Sequence, residues 1–192
     1  MPSIGVYGVK IRIIHLVSGR IVSPAAQFSQ PALNCRERSS MVTNRLFEDY
    51  EVGHTYKSKG RKILPEEVRT ICRMTGQDQP FHMDEAACLK EFGRPDLLVM
   101  GTMLLTLADG YFGEEVSPAD AFAPHYGYDK VRFIGNAFSG DTVFFEYTVK
   151  EKEVRDEKFG MLLFEVYVKN QNDKPLVYMQ DRLLVPRRNR EG

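Results

Sequence analysis

Within eight residues, Gln77-Asp78-Gln79-Pro80-Phe81-His82-Met83-Asp84, the chain crowds two amides, two carboxylates and an imidazole. An imidazole can take and return a proton near neutral pH, and a carboxylate beside it can orient or deprotonate water. Pro80 fixes its own φ and restricts the course of the segment, which reads as a loop presenting these groups. The chemistry such a set supports is proton transfer to and from a small molecule, with His82 and Asp78 as the titratable candidates and Gln77 beside them. Each residue also has a plainer reading. His82 can be a packed core histidine, Asp78 can close a turn through its side chain, and Gln77 cannot be a general base at neutral pH.

The flanking sequence supplies elements to hold that loop. Residues 47–53 open the structured region, Gly53 permits a turn, and a strand is expected over 55–63. Pro65 suits a first helical position; Val68, Ile71 and Cys72 recur at helical spacing, and Gly76 offers a stop. Beyond the loop, Asp84 reads as the N-cap of a short helix through Ala86, Ala87 and Leu89, closed by Gly93 and Pro95. Residues 97–112 are apolar nearly all round and predict a helix buried on most sides. Four segments rich in aromatic and branched residues follow at 130–134, 142–154, 161–169 and 175–185, and read as an antiparallel meander. In the second of them Val143, Phe145, Tyr147 and Val149 alternate with Phe144, Glu146, Thr148 and Lys150, so one face is buried. An apolar sheet face needs a partner layer, and the buried helix is the one available. The expected class is therefore α+β, an antiparallel sheet wrapped around a long buried helix.

That is the hot-dog arrangement, and the loop carries a resemblance to one family that uses it. Gln79, Pro80, His82 and Asp84 resemble the MaoC-like dehydratases and (R)-specific enoyl-CoA hydratases, in which an Asp precedes an Asn-Pro or Gln-Pro pair and a His follows. Phe92-Gly93-Arg94-Pro95, Gly101-Thr102-Met103-Leu104-Leu105, Lys130-Val131-Arg132-Phe133 and Ser139-Gly140-Asp141-Thr142 fit the same pattern in the same order, over about residues 46–186. The loop spacing is also similar to the mesaconyl-CoA and methylmalyl-CoA branch. One departure matters. Where the family has its catalytic Asp this chain has Gln77, with Asp78 one residue later. Either Asp78 takes that role, or His82 acts with a differently positioned water, or hydration is lost.

The resemblance implies a hydratase or dehydratase that adds water to, or removes it from, the double bond of an enoyl-CoA thioester. His82, Asp78 and Gln77 are the catalytic candidates. Gly101 or Thr102 would meet the thioester oxygen, and Arg132 either meets a CoA phosphate or stays on a solvated strand face. No metal and no redox cofactor are expected, since coenzyme A is part of the substrate. Pairing of sheet edges with a second copy makes a homodimer the expected assembly. Two other classes stand beside this one: an acyl-CoA thioesterase on the same scaffold, and a non-catalytic module that binds acyl-CoA or an acyl carrier.

Length and composition are consistent with this reading. The 192 residues suit one domain, expected over 44–188, with tails at 1–43 and 189–192. Lys+Arg and Asp+Glu both total 26, which gives no broad attraction to nucleic acid or to an anionic membrane. Cys35, Cys72 and Cys88 lack the paired spacing of a zinc site and favour reduced thiols in a cytoplasmic protein. In residues 6–22, Lys10, Arg12, His15 and Arg20 break the apolar run, which excludes a bilayer span and a secretory signal there. Residues 1–40 read either as an organelle-targeting segment or as an extended start upstream of Met41. His15, His54 and His125 are expected at the surface or in packing, Asp109 facing solvent near its helix end, and the basic run from Arg187 as a solvated tail. A chain beginning at Met41 is expected to melt at the same temperature as the full chain, because residues 1–40 show no periodicity matched to the core. Aggregation or a large loss of stability in calorimetry would make the tail part of the domain.

Overall fold

The longest strand shows how the sheet acquires its two faces. Val143, Phe145, Tyr147 and Val149 are buried, and Phe144, Glu146 and Thr148 between them are half-buried. The computed structural model describes residues 45–117 and 122–188, so the tails expected at 1–43 and 189–192 lie outside the described residues. A single 3-10 turn, Phe47–Asp49, leads to strands β1 (Thr55–Lys57) and β2 (Arg61–Lys62). Helices α1 (Pro65–Thr75), α2 (Pro80–Met83), α3 (Glu85–Phe92) and α4 (Gly101–Tyr111) follow, the last running into a π-helical turn, Phe112–Val116. Strands β3 (His125–Phe133), β4 (Thr142–Val154), β5 (Phe159–Asn170) and β6 (Pro175–Pro186) complete the domain.

The six strands make one sheet in the order β1-β4-β5-β6-β3, with β2 also paired to β4 and all pairings antiparallel. Tyr147 faces Val166, which faces Met179, so the buried rows of three strands stay in register. Met103, Leu104 and Ala108 of α4 are buried in one cluster with Phe145, Tyr147, Phe164 and Met179. Fully burying a side chain of this size contributes roughly 1.5–3 kcal/mol each. The α+β hot-dog arrangement is thus the observed one.

Four local expectations need correction. The strand expected over 55–63 is two short pieces, because Gly60 takes a φ of 89° between them. The last four strands are not one meander: β3 crosses the sheet end and pairs with β6, and the return passes Gly135, where a Cβ would lie 2.8 Å from the Pro175 carbonyl. The Pro80 loop coils into the short helix α2, Pro80 supplying the first position where no N–H is needed. The buried helix starts at Gly101 rather than at 97, since residues 97–100 are held extended against the turn before β4. The expected caps hold: Pro65 opens α1, Gly76 and Gly93 close α1 and α3 in the left-handed region, and the Asp84 carboxylate accepts from the Ala86 amide at 2.8 Å.

The extended lead into α4 is tied down by the Ser139-Gly140-Asp141 turn. Buried Ser139 Oγ accepts from the Leu97 amide at 2.9 Å, and the Ser139 amide donates to the Leu97 carbonyl at 2.8 Å. Asp141 closes the turn by accepting from the Phe138 amide at 2.8 Å. Among the described residues no helix is long and apolar enough to cross a membrane. Replacing Ser139 by Ala leaves the buried Leu97 N–H without an acceptor, and denaturant unfolding should show a loss of about 1–3 kcal/mol. An unchanged midpoint would mean that the turn does not hold the lead segment.

Candidate active site

His82 lies on α2 and is buried, with 7% of its surface exposed. Its position follows from the turn before it. Gly76 ends α1, the chain crosses Gln77, Asp78 and Gln79 in the open, and Pro80 restarts a helix that carries His82 inward one turn later. Two bonds then join this turn to the segment ahead of α4. The Leu98 amide donates to the Phe81 carbonyl at 2.9 Å, and His82 Nδ1 meets the Leu98 carbonyl at 2.6 Å. The Cys88 thiol also donates to the Phe81 carbonyl, at 2.8 Å, and the Phe81 ring stands edge-on to the imidazole with centroids 4.8 Å apart.

The partner settles the tautomer. A carbonyl oxygen can only accept, so Nδ1 carries the hydrogen and, in the neutral ring, Nε2 carries the free lone pair. Leu98 lies in the extended lead three residues before Gly101, so the imidazole is fixed to the segment that runs into α4. The first-turn amides of Gly101 and Thr102 have no intrahelical acceptor and sit at the positive end of the helix dipole. The absence of a side chain at Gly101 matters here, because a Cβ would lie 2.6 Å from the Phe133 ring that covers the helix start from the end of β3.

The other candidates are placed less closely. Gln77 and Asp78 are both exposed, and among the described residues no hydrogen bond or ion pair joins either side chain to His82. Thr102 is exposed on the first turn of α4. Arg132 is exposed beside Phe133, its guanidinium donating to the Val131 carbonyl at 2.7 Å. On the other side of Phe133 an open cleft of about 720 Å³ is lined by Arg94, Phe138, Asn170, Gln171 and Lys174.

Two residues expected to be peripheral belong to a second polar group. Asp109, expected to face solvent, is half-buried and accepts from the Tyr128 hydroxyl; His125 pairs through Nε2 with fully buried Asp181 at 2.5 Å. Asp181 falls in an apolar strand pattern, and that buried position is the signal that could have singled it out. His54 matches its expectation, stacking edge-on against Tyr56 with centroids 4.5 Å apart.

Comparison with solved structures returns the same fold. The monoamine oxidase regulatory protein from Archaeoglobus is similar at 26% identity with a TM-score of 0.65, covering 75% of this chain and 95% of that one. The R-hydratase PhaJ1 of Pseudomonas aeruginosa in its unliganded form is similar at 21% identity and TM-score 0.62, over 76% of this chain and 88% of that one. The (R)-hydratase from A. caviae involved in PHA biosynthesis is similar at 22% identity and TM-score 0.62, over 72% and 99%. No curated protein matches the chain in a direct sequence comparison. The model of the MaoC like domain matches residues 48–169, well over half of the chain and all of the segment from α1 through α4, so the chain belongs to the MaoC-like dehydratase family.

Proposed function

We propose that the protein is an (R)-type enoyl-CoA hydratase in which His82 does the acid and base work. The observation that carries this reading is the Nδ1 bond to Leu98, which leaves Nε2 as the free base of a ring fixed to the segment leading into α4. With a 2-enoyl thioester lying across the helix start, Nε2 takes a proton from water and the hydroxide adds to the β carbon. The electron pair of the double bond moves toward the thioester oxygen, where the amides of Gly101 and Thr102 stabilise the charge. The imidazolium then returns its proton to the α carbon and the ring is neutral again. One group acting on both carbons delivers hydrogen and hydroxyl to the same face, a route that needs no carboxylate at Gln77.

The CoA portion would leave past Phe133, with Arg132, or Arg94 and Lys174 across the cleft, available to its phosphates. Strand β3 ends the sheet and exposes Tyr126 and Phe133, with Ile134 just beyond, a combination that suits pairing with a second copy in a homodimer. The exposed positions of Gln77 and Asp78 favour one competing reading, a module that binds an acyl thioester without turning it over.

Hydration of crotonyl-CoA, then of mesaconyl-CoA, tests the proposal, with hydroxyacyl-CoA as the expected product. His82→Ala should lower turnover by at least about a hundredfold with little change in folding. If the single-imidazole route holds, Asp78→Asn retains most of the activity; a loss as large as that of His82→Ala would give Asp78 the carboxylate role. Binding of enoyl-CoA without hydration, in both the native protein and Gln77→Asp, would sink the hydratase reading. Nitrogen NMR of the imidazole should show Nδ1 protonated and Nε2 bare in the neutral ring; the opposite tautomer would remove the base.

A further inference from the structure

At the far end of α4 from Gly101, eight residues or about 12 Å along the axis, the structure gathers a second set of polar groups. Asp109 comes from α4, His125 from the start of β3 and Asp181 from the middle of β6. One ligand-type atom from each, a carboxylate oxygen or an imidazole nitrogen, lies within 4.8 Å of the other two. The hydration chemistry proposed above uses none of them. We propose that Asp109, His125 and Asp181 form a binding site for one divalent transition-metal cation of the Zn2+ class.

The proposal rests on how these groups are buried. Asp181 is fully buried, its Oδ1 is held by His125 Nε2, and its Oδ2 has no hydrogen-bond partner among the described residues. A buried carboxylate oxygen without a donor is costly, and such an atom in a folded protein calls for a proton, a water or a cation. A second observation comes from another strand. Tyr147 on β4 is fully buried among Tyr111, Phe112 and Phe164, and among the described residues its hydroxyl too has no partner. The Phe112 ring stands against both Tyr147 and His125, with centroids 5.3 and 6.3 Å away, so Tyr147 borders the same cluster.

The donor set suits a borderline metal. Two carboxylates and one imidazole are ligands that Zn2+ and Co2+ accept at about 2.0–2.2 Å. Their two negative charges match a dication in an aromatic wall that water would not neutralise. His125 Nε2 and Asp181 Oδ1 lie 2.5 Å apart, a contact that holds one proton between them. A cation would displace that proton and open the 2.5 Å contact between the two donor atoms to the roughly 3.3 Å that tetrahedral ligands require. The Tyr128 hydroxyl on Asp109 then serves as an orienting hydrogen bond from outside the metal's shell. The His125 side chain is about one-third exposed, which gives the ion a way in from solvent. The expectation of no metal came from the family resemblance, and these donors come from three elements distant in sequence.

The full-length protein, stripped with a chelator, is titrated with Zn2+ by calorimetry and with Co2+ by visible absorption. One equivalent of Zn2+ per chain and ligand-field bands from bound Co2+ are expected, with a Zn2+-dependent rise in melting temperature. His125→Gln and Asp109→Asn, both outside the deepest core, should each weaken binding at least about tenfold and cancel the melting shift, with unchanged circular dichroism. His54→Gln and His82→Gln should leave binding as it was. No stoichiometric binding, binding that survives both His125→Gln and Asp109→Asn, or binding lost in His82→Gln would overturn the site. In the first two cases the cluster is a buried proton-sharing network instead.

Discussion

Everything in this domain depends on burying one flank of α4 against the inner face of the sheet. Met103, Leu104 and Ala108 share one core cluster with the rows formed by Phe145, Tyr147, Phe164 and Met179, and the apolar sheet face takes this helix as its main partner layer. Once the helix is seated, its two ends are fixed in space. One end follows the segment that holds His82, and the other meets the polar residues of β3 and β6. The same apolar contact thus separates two chemically different places.

The family motifs turn out to divide their labour. Ser139 and Asp141 touch no reacting group; they brace the extended residues before α4 by satisfying the Leu97 and Phe138 amides. Gly101 is small so that Phe133 can close over the helix start. The ordered run of motifs along the chain is largely a description of how one helix terminus is held in place, with His82 bonded to the segment that leads into it.

Much of this was legible in the sequence, for physical reasons that differ by element. The strand alternation at Val143 to Val149 and the caps at Pro65, Gly76, Asp84 and Gly93 are local effects, and each appears where local chemistry demands it. The buried helix was recognisable from its apolar circumference, but its first residue depends on Ser139 reaching back across more than forty positions, which no local pattern contains. The crossing of β3 to β6 was hidden for the same reason. Within the candidate site His82 stood out through its neighbours in sequence. Its partner is a backbone carbonyl, and a carbonyl carries no sequence signal at all. Asp109 and His125 looked ordinary because the group that gives them meaning, Asp181, lies on the last strand.

The paired bonds between Phe81, His82 and Leu98 have a mechanical consequence. The Leu98 amide holds the Phe81 carbonyl while its own carbonyl holds the His82 ring, so the two strips of chain are cross-linked by adjacent rungs of opposite polarity. A rotation of the imidazole would have to break the second rung, and a slide of the loop would have to break both. The exposed side chains of Gln77 and Asp78 take no part in these rungs, while the Gln79 carbonyl accepts from the His82 amide at 2.9 Å and ties the end of the stretch to the same turn. The side chains of Gln77 and Asp78 are thus free to differ while the orientation of the imidazole is kept by its own rung.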